Sequence, residues 1–206
     1  MTPMSPQLSA NVLDWWRPVR NSRGGAMGEV ATAVSDEAFS ALADNLGHIL
    51  ETRALLCIIA PEDVQGEAVV EAALSRCDRA VPVVVTTAAP GNLAALLDAF
   101  HAALHLGVRP RRLADAQRAV EDELARRSAP VVVVRDTHLL RTEALQYVYG
   151  LWSLFQEREC RMPVVLVGSE RIRSVLRRPS LASLQSCVFI WHRPAMVDGT
   201  WLRRAT

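Results

Sequence analysis

Residues 131–140 read Val-Val-Val-Val-Arg-Asp-Thr-His-Leu-Leu. Four β-branched apolar residues without polar alternation mark a strand buried on both faces, and such strands belong to parallel sheets covered by helices. The run stops at Arg135 and Asp136, so charge begins where the strand leaves the sheet. Four comparable runs occupy residues 55–60, 81–86, 164–167 and 187–191. Between them lie helical stretches at 67–76, 92–106, 112–127, 142–158 and 170–176. Strand and helix alternate throughout. That pattern predicts a doubly wound α/β sheet, with any ligand expected at the carboxyl ends of its strands.

The rest of the chain is arranged around this core. Ser35, Asp36 and Glu37 start a helix that carries Phe39, Leu42, Leu46, Ile49 and Leu50 on one face. Residues 35–193 are therefore read as the domain, 1–34 as an N-terminal extension and 194–206 as a C-terminal tail. In the extension, Pro3, Pro6, Pro18 and the run Asn21-Ser22-Arg23-Gly24-Gly25 interrupt any long periodicity. Trp15 and Trp16 stand there with little to bury them. They read either as a strap packed on the domain or as a docking peptide for a partner.

Composition narrows the function classes. All 23 basic residues are arginine, and 22 acids leave a net charge of +1, so no global basic field points to nucleic acid. A coding bias that replaces surface lysine accounts for most of this, but it cannot supply a lysine where phosphate chemistry needs one. Cys57, Cys77, Cys160 and Cys187 are widely spaced and form no CxxC pair, which predicts reduced thiols in a cytoplasmic protein. The N-terminus lacks the pattern of a signal peptide, and no run approaches the ~20 apolar residues of a membrane span.

The loop after the first strand is Pro61-Glu62-Asp63-Val64-Gln65-Gly66-Glu67-Ala68. It has the length and position of the phosphate-binding pattern G-x-x-x-x-G-K-[ST], but keeps only Gly66. Pro61 removes a backbone donor, Glu67 stands at the lysine position, and Ala68 replaces the hydroxyl that would meet Mg²⁺. At ~4 Å and an effective dielectric near 20, each reversed unit charge is worth roughly 4 kcal/mol. Such a loop should repel a triphosphate.

With 135–140 and with 163–170 (Pro-Val-Val-Leu-Val-Gly-Ser-Glu), the chain resembles the AAA+ ATPases of the ExeA and TniB (transposition helper) type, whose third strand ends in D-E-A-H. The resemblance spans about 35–193. It implies a three-layer P-loop NTPase-like core with a five-stranded parallel sheet in the order 5-1-4-3-2. Aligned on His138, the family's Mg²⁺-associated Asp falls on Arg135 and its water-activating Glu on Asp136. Another register makes Asp136 the metal-site acid and leaves Thr137 as a base, a role threonine cannot fill. Ser169 matches the polar sensor position. The arginine that follows L-A-S in the family is Leu184 here, with Arg177 and Arg178 one turn upstream. After Pro194 too few residues follow for the family's helical lid, so no lid domain is expected.

His101 and His105 have the spacing of a metal pair but no companion ligand, so no metal site is expected. Residues 142–158 carry an aromatic stripe from which Tyr147 or Trp152 could be left over to mark an interface. The arginine clusters 109/111/112, 171/173/177/178 and 203/204 are candidates for DNA phosphates, although interspersed acids favour a solvated surface. No G-x-S-x-G elbow supports a hydrolase. The expected function is a catalytically inactive adaptor, regulatory or assembly subunit that needs no cofactor, works through a protein partner or its own copies, and belongs to DNA transactions such as transposition. Asp136 and Ser169 are then vestigial, and Trp15 and Trp16 the interface. The alternative is a divergent ATPase that binds ATP and Mg²⁺ through Gly66, Asp136 and Ser169.

Overall fold

The computed structural model describes residues 36–60, 70, 73–74, 81–87, 91–157, 162–197 and 200–203; the side chains of 36–39 and of residues beyond 193 are outside that description. The chain divides into units 1–31 and 32–206, and only the second contains described residues. Trp15, Trp16, Pro61, Gly66, Glu67, Ala68, Cys77 and Cys160 lie outside the described residues, as does most of the helix expected at 67–76.

The buried apolar runs form five parallel strands: β1 (Leu55–Ile59), β2 (Val81–Val85), β3 (Pro130–Val134), β4 (Val164–Gly168) and β5 (Val188–His192). Their order is β2-β3-β4-β1-β5, the 5-1-4-3-2 arrangement expected from the sequence. Every residue of β1, β3 and β4 is buried. β2 is an edge strand, where Pro82 can sit without costing the ladder a bond on its outer side.

Helices cover both faces. Because successive strand residues point to opposite sides, Leu55, Cys57 and Ile59 join one core, while Leu56 and Ile58 join the other. The first core is packed by α2 (Leu93–Ala103), α3 (Leu113–Arg126) and α4 (Thr142–Gln156), through Leu96, Leu97, Phe100, Val120, Leu145 and Phe155. Two short helices, α5 (Arg171–Leu176) and α6 (Ala182–Cys187), add Ile172 and Leu184 to it. The second core is packed by α1 (Asp36–Thr52) through Leu42, Leu46 and Ile49, and by Val70, Ala73 and Leu74. A fully buried Leu or Phe is worth about 1.5–3 kcal/mol, so both layers matter to stability.

Polar contacts set the ends of these elements. Asn92 Oδ1 accepts from Ala95 N at 2.9 Å and starts α2. Past the end of α1, Arg53 takes a left-handed conformation (φ 57°). Its carbonyl accepts from Trp152 Nε1 at 3.3 Å and Gln156 Nε2 at 2.8 Å. Trp152 is therefore engaged inside the domain, and Tyr147 packs edge-on against Phe100 at 6.2 Å. Both serve the fold, which corrects the reading of either as surplus to the core.

Two elements were not anticipated. Residues 182–187 are helical, so β5 starts at Val188. The segment expected as a tail contains an antiparallel hairpin, β6 (Pro194–Val197) and β7 (Thr200–Arg203), with Val197 opposite Thr200. Asp198-Gly199 between two apolar stretches was the readable signal for that hairpin. No helix among the described residues is long and apolar enough to cross a membrane.

Candidate functional site at the carboxyl rim of the sheet

Where β3 leaves the sheet, its last buried valine is followed by a buried cation. Arg135 is only 9% exposed, and its backbone N–H donates to Val85 O at 2.9 Å, which continues the β2–β3 ladder by one rung. A guanidinium cannot lose its proton, so burial there demands compensating charge or hydrogen bonds. The next residue, Asp136, adopts φ 50° and ψ 33°, a left-handed conformation that costs a non-glycine residue about 1 kcal/mol. That reversal turns the chain into a single 3₁₀ turn over Thr137–Leu139. Thr137 is fully buried, and its Oγ1 donates back to Val134 O at 2.9 Å, closing the strand end.

His138 joins this tip to β4. The Ser169 N–H donates to His138 Nδ1 at 3.3 Å, so Nδ1 carries the lone pair and Nε2 the proton. The approach is close: a Cβ on Gly168 would lie 3.2 Å from His138 N and 3.3 Å from Nδ1. Gly168 and His138 are thus two halves of one contact, which explains the presence of both in a purely structural way. β4 is tied in turn to β1, where Ala60 N donates to Gly168 O at 2.9 Å.

Two hydroxyls at this rim are buried and have no hydrogen-bond partner: Ser169 Oγ at the end of β4 and Thr87 Oγ1 beyond β2. Thr87 was not singled out from the sequence, although two threonines closing an apolar strand could have marked it. Gly91 was also missed. It takes φ +63°, its carbonyl accepts from Arg141 N at 2.9 Å, and a Cβ on it would collide with the Leu139 carbonyl. The loop into α2 is therefore locked onto the turn after β3.

Arg135, Asp136, His138 and Ser169 are all at this rim, on neighbouring strands. The loop 61–68 leaves β1 at the same end of the sheet but lies outside the described residues. The histidine pair is separated: α2 ends at Ala103, His101 is buried with Nε2 3.3 Å from Ala116 O, and His105 is exposed with φ 58°. Among the described residues no group of His, Cys, Asp and Glu could hold a metal ion. Cys57, in the body of β1, is buried, which pushes its thiol from 9.0 up to about 12 despite the lowering influence of Arg173. It is an inert core group.

Residues 39–176, more than half of the chain, match a protein family described as AAA domain. No curated protein matches the chain. Solved structures that share the fold include the following three. The ORC1 protein of Aeropyrum pernix in complex with DNA is 15% identical with a TM-score of 0.59, covering 76% of this chain and 45% of that one. Cdc6p from Pyrobaculum aerophilum is 16% identical with a TM-score of 0.57, covering 78% and 47%. The Aeropyrum pernix ORC2 protein in its ADPNP–ADP complexes is 16% identical with a TM-score of 0.56, covering 79% and 50%. The chain spans about half the length of these solved structures.

Proposed function

The chain belongs to the AAA domain family, and on that premise we propose that it acts as an assembly or regulatory subunit without ATPase activity, in DNA transactions of the kind its ExeA- and TniB-like motifs suggest. One observation carries this reading: the position matching the family's metal-site acid is Arg135, a cation buried at the tip of β3. A divalent ion and a buried guanidinium repel each other at that range, and no side-chain change of state can remove the arginine's charge. Asp136 is the one carboxylate on the tip, and it is turned into a left-handed bend. These residues do not fit Mg²⁺–ATP, so no hydrolytic step is derived. The sequence of the loop 61–68, with Glu62, Asp63 and Glu67, supports the same conclusion. It also supplies the charge we propose compensates Arg135.

A second reading, a divergent ATPase, is favoured by one specific observation. Ser169 Oγ and Thr87 Oγ1 are buried without partners at the rim, and both are donors that a nucleotide phosphate could use. Isothermal titration with ATP and Mg²⁺ separates the two. The expected result is no heat of binding, and micromolar affinity overturns the proposal. The partner-binding side of the proposal rests on Trp15 and Trp16. Mass in solution for the wild type and for Trp15→Ala/Trp16→Ala, with and without partners from the host, is expected to show an assembly that the double variant loses. A strictly monomeric wild type that captures nothing overturns it.

A further inference from the structure

The phenylalanines of the domain are not treated alike. Phe100 and Phe155 are fully buried, whereas Phe189 is 62% exposed. The strand pairing shows why. β1 pairs with β5 as Leu55 with Val188 and then Leu56 with Ile190, so Phe189 is the extra residue of a bulge. A bulge re-aims the side chain it inserts. Phe189 joins neither core, and its ring stacks on His48 of α1 at 5.6 Å, 21° from parallel. Most of an aromatic surface is left in water there, where the other two rings gain burial.

His48 is exposed as well, and α1 supplies the rest of the surface. Asp44 lies one turn before His48 and Glu51 one turn after it, an i, i+4, i+7 row on the helix. Both carboxylates are exposed, and neither forms an ion pair with a described residue. Elsewhere acids and arginines meet, as Asp98 does Arg109 and Glu123 does Arg126. α1 contains four acids and no arginine or lysine, and Arg53 beyond its end is half-buried in a left-handed turn. The surface is therefore a stacked aromatic pair between two carboxylates, whose positions are about 10 Å apart along the helix.

We infer that this patch receives the segment 15–20 of a second copy of the chain. The inference rests on the assembly role proposed above and names the surface that Trp15 and Trp16 would meet. Two unpaired carboxylates repel a nucleic-acid backbone. An aromatic centre with acidic edges calls for aromatic anchors beside arginine, and residues 15–20 read Trp-Trp-Arg-Pro-Val-Arg. The spacing agrees. Pro18 favours an extended path for itself and for Arg17. On a polyproline II path, with three residues per turn, Arg17 and Arg20 share one edge about 9 Å apart, close to the carboxylate spacing. Each copy then gives one segment and receives one, a reciprocal arrangement that closes on a dimer.

Mass in solution of the full chain tests the inference by exchanging charge between the two sides. Asp44→Arg/Glu51→Arg and Arg17→Glu/Arg20→Glu should each be monomeric alone, at concentrations where the wild type is a dimer. Mixed in equal amounts they should form a heterodimer, since the native segment of one meets the native patch of the other and the reversed pair also matches. A misfolded chain could not be restored in this way. Phe189→Ala should weaken dimerisation by ~10-fold or more. Arg111→Glu/Arg112→Glu, a basic pair beside the exposed Leu113, should leave it unchanged. A dimer that survives either charge reversal, a mixture that stays monomeric, or an equal loss in the 111/112 variant overturns this inference alone. A monomeric wild type overturns the assembly role with it.

Discussion

The bodies of the strands and the tips that leave them follow opposite rules. In β3, residues 130–134 are apolar, extended and buried, all paired with β2 and, from Val132 to Val134, with β4 as well. Within the next few residues the same chain carries a buried arginine, a left-handed aspartate and a histidine used as an acceptor. β4 repeats the contrast, passing from four buried apolar residues to Gly168 and a serine whose hydroxyl is unmet. The bodies maximise stability, whereas the tips hold conformations and groups that cost it. Such costs persist where a site is, or was, being served.

That contrast can be tested through the sign of stability changes, measured by urea unfolding. The largest effect is expected in a body: Leu166→Ala in β4, fully buried, should cost about 2–5 kcal/mol. Gly91→Ala should cost about 2 kcal/mol, since its φ is positive and the added carbon meets the Leu139 carbonyl. Gly91 locks the tip rather than serving as part of it, as Gly168 does against His138.

Alkaline pH probes the bodies again. Folded Cys57 titrates near 12 against an ordinary 9.0, so below pH 9 both folded and unfolded chains hold the proton. Between 9 and 12 only the unfolded chain ionises, and stability falls by about 1.4 kcal/mol per pH unit. Tyr147, raised by burial and by Glu121, adds to the loss in the same direction. Cys57→Val should remove the thiol's share of that slope. The smallest effects should carry the opposite sign. Asp136→Gly and Ser169→Ala are each expected to be neutral or to gain up to about 1 kcal/mol, by relieving a left-handed residue and an unmet hydroxyl. If both instead cost more than about 1 kcal/mol, the tips are as stability-driven as the bodies and the contrast fails.

The same division explains what was legible in the sequence. Uninterrupted valine runs announce buried strands because burial on both faces leaves one chemistry available, and the helices between them follow the apolar spacing. The strand order came from the motifs at 135–140 and 163–170, which no periodicity encodes. The tips were legible as positions, not as contacts: Ser169 could be named, but its backbone bond to His138 depends on two strands distant in sequence. Gly91 is conspicuous only once its backbone is seen against the Leu139 carbonyl. The hairpin at 194–203 was written in Asp198-Gly199 and was passed over because the segment follows the last core strand.

That hairpin lies against α1, the first described helix, with β7 the nearer strand. The contact joins residues near 40 to residues near 200, among the longest sequence separations the domain could contain. Closing so large a loop is slow compared with local helix formation. On the ribosome, α1 must therefore wait, with β7 as its eventual cover, until synthesis has passed residue 203 and the exit tunnel has released it. At roughly 5–20 residues per second, that interval is on the order of ten seconds or more. During it, one side of the young domain is open to whatever else is near.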